Sequence, residues 1–331
     1  MIYLIDASVY IFRAYYSMPP EMVDRDGHPV NALFGFARML GDLIERARPK
    51  YMAVAFDQSL TTSFRNVIYP AYKAHRDSPP ADLVMQMDRC RELCRLLGVA
   101  SYSSPEYEAD DIIGTLLHSM RREGVRATVI TRDKDLAQLI GEGDVYWDFG
   151  GREPFGYHDI EGRFGVVPER MADFLALMGD SVDNIKGVPG IGAKTAAALM
   201  KEFASIDAIY GDLEQVAKMK LRGAAAIGAR LKEHRGRRIL RASSPASVVT
   251  CRGTRRPKIY SGACRIWQAS TPSMTSRASA RCCESRASAW RSYRLVASSA
   301  AGGATAALTQ PSDSSSVPAL RVTMYADACF R

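Results

Sequence analysis

Through its first two hundred residues the chain alternates short apolar runs with stretches whose apolar positions recur every three or four residues. The runs at Tyr3–Ile5, Met52–Phe56 and Ala127–Thr131 read as buried strands, whereas Ala32–Arg46, Leu83–Leu97 and Asp110–Arg121 carry helical periodicity. Strands alternating with helices predict an α/β fold, a mostly parallel sheet covered by helices on both faces. From Pro168 the pattern turns helical, with ERMADFLALMG and AKTAAALMKEF joined through the Gly-rich GVPGIG. Past about Arg235 no period survives, and Ser, Arg and Ala dominate. The chain therefore divides into an α/β core at 1–166, a helical subdomain at 167–235 and a tail at 236–331.

The net charge of +8 suggests a nucleic-acid partner until it is divided along the chain. Residues 236–331 hold 15 Lys/Arg against three acids, which leaves residues 1–235 at −4. Local pattern, not overall charge, must identify the partner. The tail also holds Cys251, Cys264, Cys282, Cys283 and Cys329, with no CxxC pair and no nearby histidine to complete a zinc site. Its composition reads as disordered, either a basic DNA-binding arm or, as the abrupt loss of acids favours, coding sequence read in a shifted frame. Cys90 and Cys94, four apart on a predicted helix, read as packing residues. The opening MIYLIDASVYIF is broken by Asp6, lacks a basic leader and is too short to span a bilayer. The expected compartment is the cytoplasm.

Acids mark the ends of all three predicted strands: Asp6, Asp57 and, one residue later, Asp133. Ligands of parallel sheets sit beyond the strands' carboxyl ends, so three acids distant in sequence converge there. In EYEADDII, Glu108, Asp110 and Asp111 open a predicted helix, where capping accounts for one or two carboxylates but not for four in six residues. Asp133 and Asp135 in TRDKDL, and Asp180 and Asp183 at a predicted helical end in GDSVDNI, add two more pairs. About nine carboxylates in one cleft repel each other unless divalent cations lie among them. Oxygen-only donors suit Mg²⁺ or Mn²⁺, and the five histidines are scattered. Hydrolysis of a phosphodiester with two ions is the reaction such sites perform.

Two further segments point to nucleic acid. Residues 65–76 interleave Arg65, Lys73 and Arg76 with Tyr69 and Tyr72, a pattern that can grip phosphates and stack on unpaired bases, although an ordinary polar loop would read the same. GVPGIG, residues Gly187–Gly192, followed by Lys194 and Thr195, is a helix-hairpin-helix signature whose backbone N–H groups would meet a phosphate without reading base identity.

Together these segments resemble the 5′ nuclease (flap endonuclease-like) family, and within it the 5′–3′ exonuclease domain that begins bacterial DNA polymerase I. The resemblance covers residues 1–235 and rests on Asp6, Phe56–Asp57, Tyr72–Arg76, Glu108–Asp111, Arg132–Asp135 and GDSVDNIKGVPGIGAKTA from Gly179. It implies a PIN-like core with a helical arch at about 65–97. It further implies one metal cluster of Asp6, Asp57, Glu108, Asp110 and Asp111, and a second of Asp133, Asp135, Asp180 and Asp183. Lys73 and Arg76 would act on the arch, through which a 5′ single strand passes, with Tyr72 beside them. Arg13 and Arg65 would hold phosphates. Gly187, Val188, Gly190, Ile191, Gly192, Lys194 and Thr195 would grip the duplex, with K⁺ at the hairpin carbonyls. The implied activity is that of a monomeric 5′–3′ exonuclease or 5′ flap endonuclease of DNA replication and repair, and whether a DNA polymerase recruits it stays open. No polymerase or proofreading sequence follows, so the chain reads as a stand-alone nuclease or a fragment, without the family's helices beyond Arg235. The rivals are a catalytically impaired DNA-junction binder and a small toxin-type ribonuclease, and GVPGIG and YKAHR argue against the second.

Overall fold

The structure is a computed structural model that describes residues 1–58 and 62–234; the expected tail at 236–331 lies outside the described residues. Six strands form the main sheet: β1 (Ile2–Asp6), β2 (Tyr51–Asp57), β3 (Ala100–Ser104), β4 (Ala127–Ile130), β5 (Val145–Trp147) and β6 (Phe155–Gly156). Their order is β3-β2-β1-β4-β5-β6, parallel except at the β5–β6 edge. The chain reverses its direction of winding between β1 and β4, where a parallel sheet opens a crevice past its strand ends. Alternation along β1 divides the core: Ile2 and Leu4 belong to one apolar cluster and Ile5 to the other, on opposite sheet faces.

Helices α1 (Ala7–Ser17), α2 (Asn31–Ala47), α3 (Phe64–Ile68), α4 (Ala81–Leu96) and α5 (Ala109–Arg122) complete the first half. Fully buried Ile11, Leu33, Phe36, Leu40, Phe56 and Leu83 join α1, α2 and α4 over one face, each worth about 1.5–3 kcal/mol in burial. Cys90 and Cys94 are buried in that cluster, as the spacing suggested. Gly35 lets α2 cross α1 closely, since a Cβ there would fall 2.4 Å from that of Ala14. The start of α2 is capped from α4: buried Gln86 accepts the Ala32 N–H at 2.8 Å and donates to Asn31 Oδ1 at 3.1 Å.

On the other face, α5 and the apolar residues of α6 (Ile160–Phe164), α7 (Met171–Met178), α8 (Ala193–Glu202), α9 (Ile206–Gly211), α10 (Leu213–Lys218) and α11 (Ala224–His234) form one continuous cluster. The helical subdomain is thus built onto the sheet. Between α7 and α8 lies a difference from expectation: Asp180 and Asp183 do not end a helix. The helix stops at Met178, and a hairpin of β7 (Gly179–Asp180) and β8 (Ile185–Lys186) carries Asp180 in a strand and Asp183 in the turn. Gly179, at φ +81°, turns the chain out of α7, and a Cβ there would meet the Gly187 nitrogen at 2.4 Å. Among the described residues, no helix is long and apolar enough to cross a membrane.

Candidate active site

All nine acids meet at the carboxyl edge of the parallel strands. Asp6 ends β1 and accepts the Thr131 hydroxyl at 3.0 Å; Asp57 ends β2 and accepts the Ala109 N–H at 2.7 Å, which ties the β2 end to the start of α5. Glu108 is the N-cap of α5, and its N–H donates to Asp111 Oδ2 at 3.1 Å. Past β4, Thr131 Oγ1 accepts the Asp133 N–H, and Asp133 Oδ1 in turn accepts the Asp135 N–H, so the TRDKDL turn is fixed from within. From the hairpin, Asp180 lies 3.5 Å from Lys134 Nζ, and Asp183 accepts Arg76 Nη2 at 2.9 Å.

The crowding has electrostatic consequences. Burial, then the charges of Asp57 and Asp133, pushes the Asp6 carboxyl up to about 8. Burial, then the charge of Asp133, does the same to Asp135, also up to about 8. Burial would raise Glu108 too, but Lys73 and Arg65 hold it below the usual range. Two carboxylate oxygens, Glu108 Oε1 and Asp135 Oδ1, are buried with no hydrogen-bond donor. Orphaned acceptors and like charges held together are what an oxygen-ligated divalent cation relieves, so the residues present fit Mg²⁺ or Mn²⁺.

A strap, residues 69–76, crosses the cleft between α3 and α4. Lys73 Nζ lies 2.5 Å from Glu108 Oε2, and Arg76 reaches Asp183 and the Val182 carbonyl. Of the segment expected as an arch, α4 is packed on the sheet by Leu83, Met87 and Cys94, which leaves the crossing to the residues before it. Two residues expected to contact nucleic acid are committed elsewhere. Arg65 is only 5% exposed, with its guanidinium 2.5 Å from Asp111 and 2.9 Å from Asp110; a cation sunk among three carboxylates balances them and offers no face to a phosphate. Tyr72 is buried with its hydroxyl 3.1 Å from Glu108 and 3.3 Å from Asp183, so its ring is closed to a base. Arg13 is exposed on α1.

The hairpin expectation divides similarly. Val188 and Ile191 plug the core, and their N–H groups are spent on Leu177 O and Val188 O. Gly187 lacks a side chain because a Cβ would fall 2.3 Å from the Met178 carbonyl carbon. Gly190, Gly192 and Lys194 remain exposed at the start of α8, with Thr195 half-buried behind them. Arg230 of α11 reaches the same turn, its Nη1 2.2 Å from where a Gly190 Cβ would stand. Nothing in the spacing of α11 signals that approach, and likewise Ser8, whose hydroxyl accepts the Asp57 N–H, carries no motif. Beside the cleft an open cavity of ≈ 550 Å³ is bordered by His75, Lys134, Asp180, Val182 and Lys186. Asp24, Asp26 and His28 also converge, but Asp24 is occupied by the N–H groups of Asp26 and His28 and by Arg89 at 2.8 Å, the pattern of a turn tied to α4.

A family model described as "5′-3′ exonuclease, N-terminal resolvase-like domain" matches residues 1–165, and one described as "5′-3′ exonuclease, C-terminal SAM fold" matches 166–242. A 5′-3′ exonuclease of Aquifex aeolicus is 36% identical over 214 residues, 65% of this chain and 73% of that protein. One from Buchnera aphidicola is 34% identical over 238 residues, 72% of this chain and 82% of that protein. DNA polymerase I of Rhizobium leguminosarum is 38% identical over 228 residues, and this chain spans only 22% of its length. Among solved structures, the bacteriophage T5 flap endonuclease in a pseudo-enzyme–product complex with DNA and metal ions superposes with a TM-score of 0.60 at 20% identity, over 75% of this chain and 90% of that one. The zinc-bound T5 5′-exonuclease gives 0.57 at 20% identity, over 75% of this chain and 89% of that one. At that identity the likeness is one of fold.

Proposed function

The chain belongs to the 5′–3′ exonuclease family, and we propose that its acidic cleft hydrolyses DNA phosphodiesters at 5′ ends and 5′ flaps, near junctions of single strand and duplex. One observation supports this above the others: nine carboxylates from five segments gather at one sheet edge, with two of their oxygens unpartnered and two strap cations held against them. Asp6, Asp57, Glu108 and Asp110 would hold one divalent ion, and Asp133, Asp135, Asp180 and Asp183 a second. Bound there, Mg²⁺ or Mn²⁺ supplies positive charge to the reacting phosphate and makes an attacking water more acidic. Asp111 completes the set through Arg65, as a buried counter-charge.

The chain's own groups supply position. Gly190, Gly192, Lys194 and Thr195 at the start of α8, with Arg230 beside them, take phosphates of the duplex by backbone N–H groups and cations, which ignores sequence. K⁺ at the hairpin carbonyls would reinforce that grip. Lys73 and Arg76 meet the phosphate at the cleft, Lys134 and Lys186 border the cavity beside it, and Arg13, exposed on α1, would hold a further phosphate. Water adds to phosphorus, the bond from phosphorus to the 3′ oxygen breaks, and that oxygen takes up a proton. The products carry a 5′ phosphate and a 3′ hydroxyl. The protein acts as a monomer in the cytoplasm, in replication and repair, beside a DNA polymerase.

The test is a 5′-labelled flap duplex incubated with the chain in Mg²⁺ or in EDTA, with product ends mapped. Cutting near the junction in Mg²⁺ alone is expected. Metal-independent cutting, or binding without cutting, overturns the reading.

A further inference from the structure

The strap is tied to the β7–β8 turn by a set of hydrogen bonds that involves none of the carboxylate side chains. Asn184 Nδ2 donates to the Ala71 carbonyl at 2.8 Å, and the Asn184 carbonyl accepts the Tyr69 hydroxyl at 3.2 Å. One residue earlier, the Asp183 carbonyl accepts the Lys73 N–H at 3.1 Å; one residue earlier still, the Val182 carbonyl accepts Arg76 Nε at 3.2 Å and Nη2 at 3.0 Å. Three successive turn residues thus hold the strap along its length. Lys73 and Asn184 both have positive φ, +52° and +58°, a backbone that asparagine tolerates better than most residues and lysine poorly. Lys73 keeps that conformation while its N–H meets the turn and its ammonium meets Glu108.

We propose that Asn184 is a positioning residue: together with Tyr69 it clasps the strap to the β7–β8 turn, and so sets Lys73 and Arg76 over the carboxylates. Asn184 is suited to this on two counts. It is the one residue of the turn that both donates to the strap through its side chain and accepts from it through its backbone. It is also uncharged, so its hold does not change when a cation or phosphate alters the charge of the cleft. The consequence is a link between the two halves of the molecule, because the turn that carries Asn184 leads within a few residues into Gly187–Gly192, the hairpin assigned to the duplex. Seating a duplex on the hairpin and aligning the strap cations become parts of one event. The clasp rests on the proposed hydrolysis only for its purpose, and not for its existence.

Asn184→Gly tests it, since glycine keeps the positive φ and the carbonyl that Tyr69 uses while removing the side chain that donates to Ala71. Tyr69→Phe removes the other bond. Amide hydrogen exchange is followed by mass spectrometry in the metal-free protein, and single-turnover cleavage and flap affinity in Mg²⁺. In either variant, exchange in the peptide containing Lys73 and Arg76 is expected to quicken about fivefold, the worth of one hydrogen bond, while exchange elsewhere is unchanged. The cleavage rate is expected to fall with flap affinity retained. Unchanged exchange in the strap, or faster exchange throughout the protein, overturns the clasp. If wild-type protein fails to cut DNA at all, the nuclease reading falls while the exchange result still decides the clasp.

Discussion

At the residue scale, the carboxylates divide by what already occupies them. Asp111 is spent on Arg65 and on the N–H of Glu108, whereas Glu108 and Asp135 each keep a buried oxygen without a donor. Asp110 stands between, half-exposed, with one oxygen on Arg65 and the other accepting the Asp111 N–H. Two substitutions separate these roles. Asp110→Ala is expected to abolish cleavage, at least about a hundredfold, with flap binding and melting temperature little changed, as gel shift and calorimetry would register. Arg65→Ala is expected to unfold the protein more easily, by about 3–5 kcal/mol in urea, because it strands buried carboxylates without their counter-charge. If Arg65 acted chiefly on phosphates, its loss would instead weaken binding and leave stability alone.

At the scale of elements, two connections carry energy that their exposed positions conceal. The turn between α1 and α2 is anchored by Asp24 to Arg89 of α4. Burial would raise the Asp24 carboxyl, but Arg89 and the N–H groups of His28 and Asp26 hold it down at about 2. A depressed carboxyl stabilises the fold above its unfolded value of about 4 and loses that contribution as pH falls to about 2. Asp24→Asn should therefore melt lower than wild type at pH 7, with the gap closing near pH 2; a gap independent of pH would refute the ion pair's role. The second connection is the crossing of Gly179 and Gly187 at the root of the hairpin. Gly187→Ala forces backbone apart, with a Cβ 2.3 Å from the Met178 carbonyl carbon and 2.4 Å from the Gly179 nitrogen. It should cost about 1–3 kcal/mol and weaken duplex affinity together, since the same backbone carries both. Retained stability with unaltered affinity would show that the crossing relaxes without strain.

At the scale of the whole molecule, the acidic edge stores repulsion that packing elsewhere offsets. Two apolar clusters, one on each face, hold the strand ends that bring Asp6, Asp57 and Asp133 together. Mg²⁺ or Mn²⁺ should therefore raise the melting temperature, and EDTA should reverse the rise. Burial, then the charges of Asp57 and Asp133, makes it costly to ionise the Asp6 carboxyl in the folded metal-free protein, so Asp6→Asn, which removes that cost, should stabilise the metal-free protein at pH 7 by about 0.5–2 kcal/mol and shrink the increment from the ion. An Asp6→Asn protein less stable than wild type in EDTA would contradict stored repulsion.

Much of this was determined by sequence alone. Periodicity located β1, β2, β4 and the helices α2, α4 and α5 to within a residue or two, because each buries a full apolar face. Acids at strand ends needed only the parallel connection to be brought together, so the cluster was legible before its geometry. Weaker patterns hid the rest: β3 reads ASYSS, β5 is three residues long, and the amphipathic period of α1 is masked because the helix starts at Ala7, directly after β1 with no intervening loop. Only the tertiary structure decided that Arg65 and Tyr72 face inward, that Asp180 and Asp183 sit on a hairpin, and that Asn184 and Arg230 reach their partners. Side-chain direction and contacts between distant segments depend on how elements pack, and packing is a property of the assembled faces that no local period encodes.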